Sequence, residues 1–350
     1  MITFTDYTSA LNNSSHDVAV SHGGKLDGRA HAIGIGNFDG VHRGHQALIN
    51  RVIEYSKSLS VRSLILTFNP HPASFFSGGK HGPTPIYSPE ERCELLAHKG
   101  IQATLLQRFD EDFASLSPEA FIQEVLVDAL AAKAVVVGYD FAFGAKRAGT
   151  IDTLRSFGSR LGFEVSVIEA VGTAPQAYSS TWVRTLIANG DVAQAHAVLG
   201  RPFHVNGIVT RGYQRGRTLG FPTANLALTS HLCPNPGVYM GWLSWGDSPR
   251  IAVISIGTNP TFEVNHKLIH KQSWSVEVHV IQDDVSDSAP LTPSNPYWLD
   301  LYNKEVKLWF HSKIRGMKRF EDISELKRYI DLDRNMTREL LSTLPPPSWP

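Results

Sequence analysis

His42 and His45 stand three residues apart behind a glycine-rich turn, in the stretch HAIGIGNFDGVHRGHQALIN that covers residues 31–50. On a helix that spacing puts both rings on one face, where they can reach a single anion. An imidazole supplies a donor whose charge can be tuned near neutral pH. Two of them can stabilise the charge that builds on a phosphate during displacement, without either becoming a nucleophile. For HxGH alone, a surface helix capped by two histidines is the bland alternative. No third ligand lies nearby in the sequence, which argues against zinc.

The elements that must hold the pair are legible in the same stretch. Ala32 to Phe38 is a short apolar run interrupted by Gly34 and Gly36, the pattern of a buried strand closely approached by other backbone. Asp39-Gly40 makes a tight turn, and Ala47, Leu48, Val52 and Tyr55 then recur with a helical period. A helix N-terminus brings unpaired N–H groups and the positive end of a dipole. Ligands of open α/β sheets bind at the carboxyl edge of the strands. Gly36, Asn37, Phe38, Asp39 and Gly40 are therefore candidate phosphate-binding residues, with His42 and His45 as the candidate catalytic pair.

Two more stretches carry chemistry. In YSSTWVR, the hydroxyls of Ser179, Ser180 and Thr181 stand at a helix entrance with Arg184 one turn later, which suits a second anion clamp. A plain Ser/Thr cap is the alternative. In GYQRGRTLGFPTAN, residues 212–225, Gly216 and Gly220 let backbone approach a ligand, and Arg217 supplies charge. After Pro222, Thr223 and Asn225 offer oxygen ligands. Mg²⁺ prefers oxygen and keeps several waters and phosphate oxygens, so one hydroxyl and one amide make a reasonable protein share. The alternative is an arginine-rich surface turn leading into a strand; the stretch is neither a Walker A loop nor a kinase glycine loop.

Composition narrows the classes. A chain of 350 residues that is 42% hydrophobic can bury large cores and favours two domains. Its 33 basic residues balance 33 acidic ones, whereas non-specific nucleic-acid binding needs a positive excess to displace counterions. The two cysteines, Cys93 and Cys233, are far apart, which gives no disulfide framework and fits a reducing cytoplasm. Residues 1–30 lack an apolar signal-peptide core, and no apolar run reaches membrane-spanning length. The expectation is a soluble cytoplasmic protein without nucleic-acid or membrane partners.

In the first half, Ser63 to Phe68, Ala134 to Val137 and Phe163 to Ile168 read as further buried strands. Ser88-Pro89-Glu90-Glu91 and Ser117-Pro118-Glu119 read as helix starts. This alternation predicts βαβ units and a mainly parallel sheet. Thr185 to Leu199 reads as a linking helix broken at Gly190-Asp191. From Gly200 the pattern becomes short strands, Val205–Thr210, Val238–Trp242, Ile251–Ile256, Trp274–Ile281 and Val306–Phe310, which predicts a small antiparallel barrel. The expected division is 1–186, a linker over 187–199, a second domain over 200–342, and a disordered proline-rich tail over 343–350.

GNFDGVHRGH resembles the signature of the HxGH nucleotidylyltransferases, and specifically of the bacterial bifunctional riboflavin kinase/FAD synthetases. The resemblance extends through TFNPHP, GYDFAFG, SSTWVR, GFPTAN, GVY, IGTNPTF, SVEVHV and DLYNKEV, covering roughly residues 30–335 in family order. It implies a Rossmann-like adenylyltransferase domain followed by a β-barrel riboflavin kinase domain. The activities implied are phosphorylation of riboflavin by Mg·ATP to FMN, and adenylylation of FMN by ATP to FAD. It further implies that Asn69, His71, Asp140 and Phe143 lie at the nucleotide and flavin site of the first domain. In the second, Thr223 and Asn225 would hold Mg·ATP, and Asn259, Thr261 and Arg315 would contact flavin. Glu277 would accept the proton of the ribityl 5′-hydroxyl.

Three positions depart from the pattern: Trp182 replaces a residue more often basic, Asn303 one usually glycine, and Asp283 to Leu299 replaces a short turn. Two rival readings are another phosphorylated alcohol as acceptor, and a barrel that binds nucleic acid through Arg211, Tyr213, Arg215 and Arg217. The matched second domain weighs against the first rival; the neutral charge and the TAN motif weigh against the second.

Overall fold

The computed structural model describes residues 1–8, 29–79, 81–173, 176–210, 221, 223–230, 232–246, 248–258, 274–281 and 301–347. The chain divides into two compact units, Met1–Ser180 and Thr181–Trp349.

The first unit is built on one parallel sheet of β1 (Ile2–Phe4), β2 (His31–Ile35), β3 (Arg62–Asn69), β4 (Ala103–Arg108), β5 (Ala132–Gly138) and β6 (Glu164–Ile168), in the order β1-β4-β3-β2-β5-β6. Its helices are α1 (Arg43–Ser58), α2 (Pro72–Phe76), α3 (Pro89–His98) and α4 (Glu111–Ser115), then α5, a turn over Pro118–Ala120 continued as a π-helical stretch over Phe121–Ala129, and α6 (Ile151–Leu161); β7 (Gly172–Thr173) and β8 (Gln176–Ala177) form a separate antiparallel pair after β6.

Both faces of the sheet are covered, which is why its strands read as continuous apolar runs. On one face Ile33, Ile35, Leu64, Leu66, Leu105, Val135 and Val137 pack with Phe121, Ile122, Val125 and Leu126. On the other, α1 buries Leu48, Ile49 and Val52. Gly34 makes that approach feasible: a Cβ there would come within 2.7 Å of both Ile65 and Leu48. The start of α3 follows its sequence signal, with a reciprocal capping box between Ser88 and Glu91 and proline in the first turn.

Two strands go beyond the sequence reading. β1 has three residues, too few for a pattern. β4 carries Gln107 in its buried register, satisfied by the Tyr7 N–H at 2.8 Å and the Arg108 carbonyl at 2.9 Å. A tertiary hydrogen bond of that kind leaves no trace in hydrophobic alternation.

The second unit opens with α7 (Ser180–Asn189) and α8 (Val192–Leu199), separated at Gly190-Asp191 where Gly190 takes φ +83. The linking stretch is thus interrupted where Gly190-Asp191 marks the break, and α8 packs on strands of the barrel that follows. That barrel is closed and antiparallel: β9 (Phe203–Thr210), β10 (Ala224–Leu228), β11 (Gly237–Ser244), β12 (Arg250–Thr258), β13 (Trp274–Val280) and β14 (Glu305–Arg315) pair in the order β10-β13-β12-β11-β14-β9, with β9 closing onto β10. β10 is not among the strands that the pattern picks out, because its Ala, Asn and Leu give no β-branched signal.

Alternate residues such as Val209, Leu226, Ile254, Ile256, Val276, Val278 and Leu308 are buried in one face. On the opposite face of β11 and β14, Met240, Trp242 and Trp309 pack under Leu341 of α9 (Ile323–Leu341), the C-terminal helix.

Candidate phosphate-transfer sites

Three neighbouring strands of the first sheet, β3, β2 and β5, each release a motif loop from the carboxyl end. Residues after Ile35 form the GNFDG turn, residues after Phe68 the NPHP loop, and residues after Gly138 the aromatic loop. This is the edge where open α/β sheets take ligands.

The GNFDG turn is tightly specified. Phe38 and Val41 hold positive φ, +49 and +43, with Gly40 at +81 between them. Positive φ in a β-branched residue such as Val41 is uncommon and persists only where the surroundings over-determine it. Here Phe38 and Val41 are fully buried and the Val41 N–H bonds the Phe38 carbonyl at 3.1 Å. Asp39, also buried, accepts the Ile86 N–H on its carboxylate at 3.0 Å, and its carbonyl accepts the Ser180 hydroxyl at 2.8 Å. The Asn37 carbonyl accepts two side-chain donors, Thr67 Oγ1 at 2.9 Å and Arg92 Nη1 at 2.7 Å.

His42 caps α1: its Nδ1 accepts the His45 N–H at 3.4 Å, which leaves Nε2 as the protonated nitrogen of a neutral ring. The His42 and His45 rings stack with centroids 3.7 Å apart, and His45 leans on Phe38 at 5.1 Å. The two imidazoles therefore present one joint surface at the first turn of a sixteen-residue helix that has no acidic residue there. That arrangement suits a polyphosphate.

The other expected residues fall as follows. Ser180 joins the turn through Asp39, and a Cβ on Gly44 would sit 3.5 Å from the Tyr178 carbonyl, so the segment before α7 runs beside HRGH. Ser179 is half-buried; Thr181 and Arg184 lie on α7 in the second unit. Asn69 is exposed at the end of β3, and His71 Nδ1 accepts the Ala73 N–H at 3.1 Å to start α2. Asp140 is exposed at the end of β5. Phe143 is buried in the core, stacked on Phe141 at 5.4 Å and packed on Phe121 at 5.3 Å; of that aromatic pair, Phe141 keeps surface.

Sequence reading missed an aromatic ledge at the same edge. Phe76 is 70% exposed and packs edge-on against Phe75 and Phe109, at 5.3 and 5.7 Å. An exposed phenylalanine held by two others offers a flat apolar surface. The repeated Phe of PASFF was a usable signal.

The second site is assembled by strand register. Asn225 of β10 lies directly opposite Glu277 of β13 and opposite Thr210 of β9. Glu277 in turn faces Ser255 of β12, Ser255 faces Val238 of β11, and Val238 faces Arg315 of β14. Directly opposed residues share a face with Cβ atoms about 4.5–5.5 Å apart. One row across β10, β13 and β12 therefore carries Asn225 and Glu277, on the face opposite the buried Leu226, Val276 and Val278, and Arg315 is reached from Val238 across a register shift between β11 and β14.

Thr223 stands just before β10, half-buried. Arg315 forks onto Asp333 of α9, with Nη2 at 2.7 Å and Nε at 3.1 Å from Oδ2, and lies over Phe320 and Tyr329, each 5.6 Å away. Gly216, Arg217, Gly220, Pro222, Asn259, Thr261 and the insertion Asp283 to Leu299 lie outside the described residues. Among the described residues no helix is long and apolar enough to cross a membrane.

Comparison with known proteins finds a match for each half of the chain. Residues 25–182 match the family described as FAD synthetase and residues 199–341 the family described as Riboflavin kinase. A bifunctional riboflavin kinase/FMN adenylyltransferase of Escherichia coli K12 is 36% identical over 313 residues, covering 89% of this chain and 93% of that protein. Proteins of the same description from Pseudomonas fluorescens (33% identical, 87% and 91% covered) and Bacillus subtilis (30%, 89% and 92%) align similarly. A crystal structure from Streptococcus pneumoniae, described as a macrolide-efflux protein, is similar at a TM-score of 0.77 and 26% identity, covering 96% of this chain and 98% of that one. With both halves matched and the relatives aligned over most of its length, the chain belongs to the bifunctional riboflavin kinases/FMN adenylyltransferases.

Proposed function

We propose how the two activities of this family, riboflavin to FMN and FMN to FAD with ATP as donor in each, divide between these residues. The FMN phosphate attacks the α-phosphorus of ATP, an oxygen–phosphorus bond forms as the bond to pyrophosphate breaks, and negative charge grows on the leaving group. His42 and His45, with the N–H groups that open α1, meet that charge. Ser179, Ser180, Thr181 and Arg184 act as a pyrophosphate clamp, as the SSTxxR resemblance implies. Asn69, His71 and Asp140 border the flavin and nucleotide, with the Phe76 ledge as the stacking surface for a planar ring.

In the second unit, Glu277 orients the ribityl 5′-hydroxyl and takes its proton as the oxygen attacks the γ-phosphorus and ADP leaves. The observation that carries this reading is the register Asn225↔Glu277: a motif residue expected to hold ATP is set beside the carboxylate expected to act as base. Thr223 and Asn225 offer oxygen donors, and the described residues hold no cluster of three His, Cys, Asp or Glu. That set fits Mg²⁺, which takes few protein oxygens beside phosphate and water. Bound there with ATP, the ion would neutralise charge on the transferring phosphate. Gly216, Arg217, Gly220 and Pro222 complete the ATP loop, and Asn259, Thr261 and Arg315 the flavin contacts, on the strength of the motifs they stand in. The protein is expected to work in the cytoplasm without a nucleic-acid partner.

Incubating the pure protein with riboflavin, ATP and Mg²⁺ and separating the flavins tests the assignment. FMN should form first and FAD after it. A preparation that makes neither, or whose activity is unchanged by chelating Mg²⁺, contradicts it.

A further inference from the structure

Arg92, on α3, lies outside every motif yet holds two of them together. Its side chain is buried in the first unit, 7% exposed. Nη1 donates to the Asn37 carbonyl at 2.7 Å, and Nη2 donates to the Phe68 carbonyl at 3.0 Å. Asn37 immediately precedes the strained Phe38, and Phe68 immediately precedes the Asn69-Pro70-His71-Pro72 loop. One planar guanidinium therefore bridges the ends of two adjacent strands, β2 and β3, at the edge where the His pair sits.

Burying a cation is costly unless it is well bonded. Burial draws the Arg92 pKa down, and the Asp39 carboxylate of the same turn acts against that shift. Nε is left without an acceptor among the described residues, so the position is not optimised for stability alone. A guanidinium offers its N–H groups in a fixed fork, whereas a lysine ammonium is a single point of contact on a flexible stem. The two-carbonyl bridge thus demands arginine chemistry.

We propose that Arg92 is a positioning residue for adenylyl transfer, fixing the Asn37 and Phe68 carbonyls so that the His42/His45 turn and the His71 loop keep one shared geometry. This rests on the reading of the His pair as the phosphate site. Small displacements of positioned groups are enough to lower turnover about a hundredfold, and Arg92 acts on the turn rather than on binding as such.

The test compares Arg92→Met, Arg92→Lys, Thr67→Val and the double variant Arg92→Lys/Thr67→Val, with His45→Ala as reference, in the full chain. FAD formation from supplied FMN and FMN formation from riboflavin are measured on each preparation. Arg92→Met should lower kcat for FAD formation about 10–100-fold while KM for ATP and for FMN changes little. Arg92→Lys should recover part of the loss, and riboflavin phosphorylation should stay at the parent level. Thr67→Val, which removes the other donor to Asn37, should lower turnover more in the Arg92→Lys background than in the parent. Parent-level FAD turnover in Arg92→Met overturns the proposal. If that variant does not fold, parent-level turnover in Arg92→Lys and in the double variant overturns it equally. Unimpaired FAD formation in His45→Ala would instead remove the underlying phosphate-site reading.

Discussion

From Gly36 to His45 the proposed adenylyl-transfer site is drawn from one uninterrupted stretch of chain, whereas Asn225 and Glu277, proposed for the kinase site, come together only through the register of barrel strands. The first site stores its precision in local backbone: two buried residues at positive φ, a histidine cap, and a turn pinned by Thr67, Ile86, Arg92 and Ser180. The second stores it in pairing. A slip of one residue in β13 would carry Glu277 to the face of Val276 and Val278. Local sites fail when a turn relaxes; register sites fail when a strand shifts.

The largest expected effect separates the two sites outright. His45→Ala removes one of two stacked imidazoles from the phosphate surface and should lower FAD formation about 10²–10³-fold, the scale on which one transition-state donor is lost. FMN should still accumulate from riboflavin. Loss of both activities together, in a protein with an unchanged circular dichroism spectrum, would mean that the sites are not independent.

That contrast also explains what could be read in advance. HAIGIGNFDGVHRGH announced strand, turn and helix because each signal lies within a few residues of the next. The side chains that brace the turn did not announce themselves. Arg92 hides behind an ordinary capping box, and the Ile86 N–H that meets Asp39 is a backbone group with no sequence signature. Phe143 looked like a ligand contact and is buried core, because GYDFAFG must seal the sheet edge as well as line it. In the barrel, SVEVHV gave its alternation correctly, but the pairing of Glu277 with Asn225 depends on β10, whose ANLAL lacks strand residues of its own.

Glu277→Gln sharpens the register half of the comparison. The substitution keeps shape and strand pairing while removing the proposed base, so riboflavin phosphorylation should fall by about two orders of magnitude or more. Supplied FMN should still become FAD. A variant kinase with near-parent turnover would make the Asn225–Glu277 juxtaposition structural only.

A smaller effect is expected where Arg315 meets the C-terminal helix. Asp333 is buried and receives three donor contacts from Arg315. Asp333→Asn keeps the volume but loses the charge, and should cost the barrel about 1–3 kcal/mol, seen as a lower urea midpoint for the transition that follows kinase activity. FAD formation from supplied FMN at room temperature should not change. An unchanged midpoint would show that α9 is held by Leu341 and its apolar neighbours alone.

The smallest effect is expected from the insertion, because it lies between strands and outside both motif sets. β13 ends at Val280 and β14 begins at Glu305, and neither is the other's neighbour: β12 and β11 stand between them on one side of the barrel. Across those strands Val280 lies level with Ala252, Gly241 and Phe310, five residues beyond the start of β14. The gap is therefore about 14 Å around the barrel and about 17 Å along it, roughly 22 Å in all. Removing Asp283 to Leu299 leaves Ile281, Gln282 and Asp300 to Lys304, whose extended reach is about 26–29 Å. A bridge of four glycines in place of the insertion adds slack, and loop closure depends only weakly on length. Both reactions should therefore stay measurable, with kinase activity within about twofold of the parent. Complete loss of FMN formation in a variant that still converts supplied FMN to FAD would assign residues 283–299 to the kinase site, and make that site even less local than its register implies.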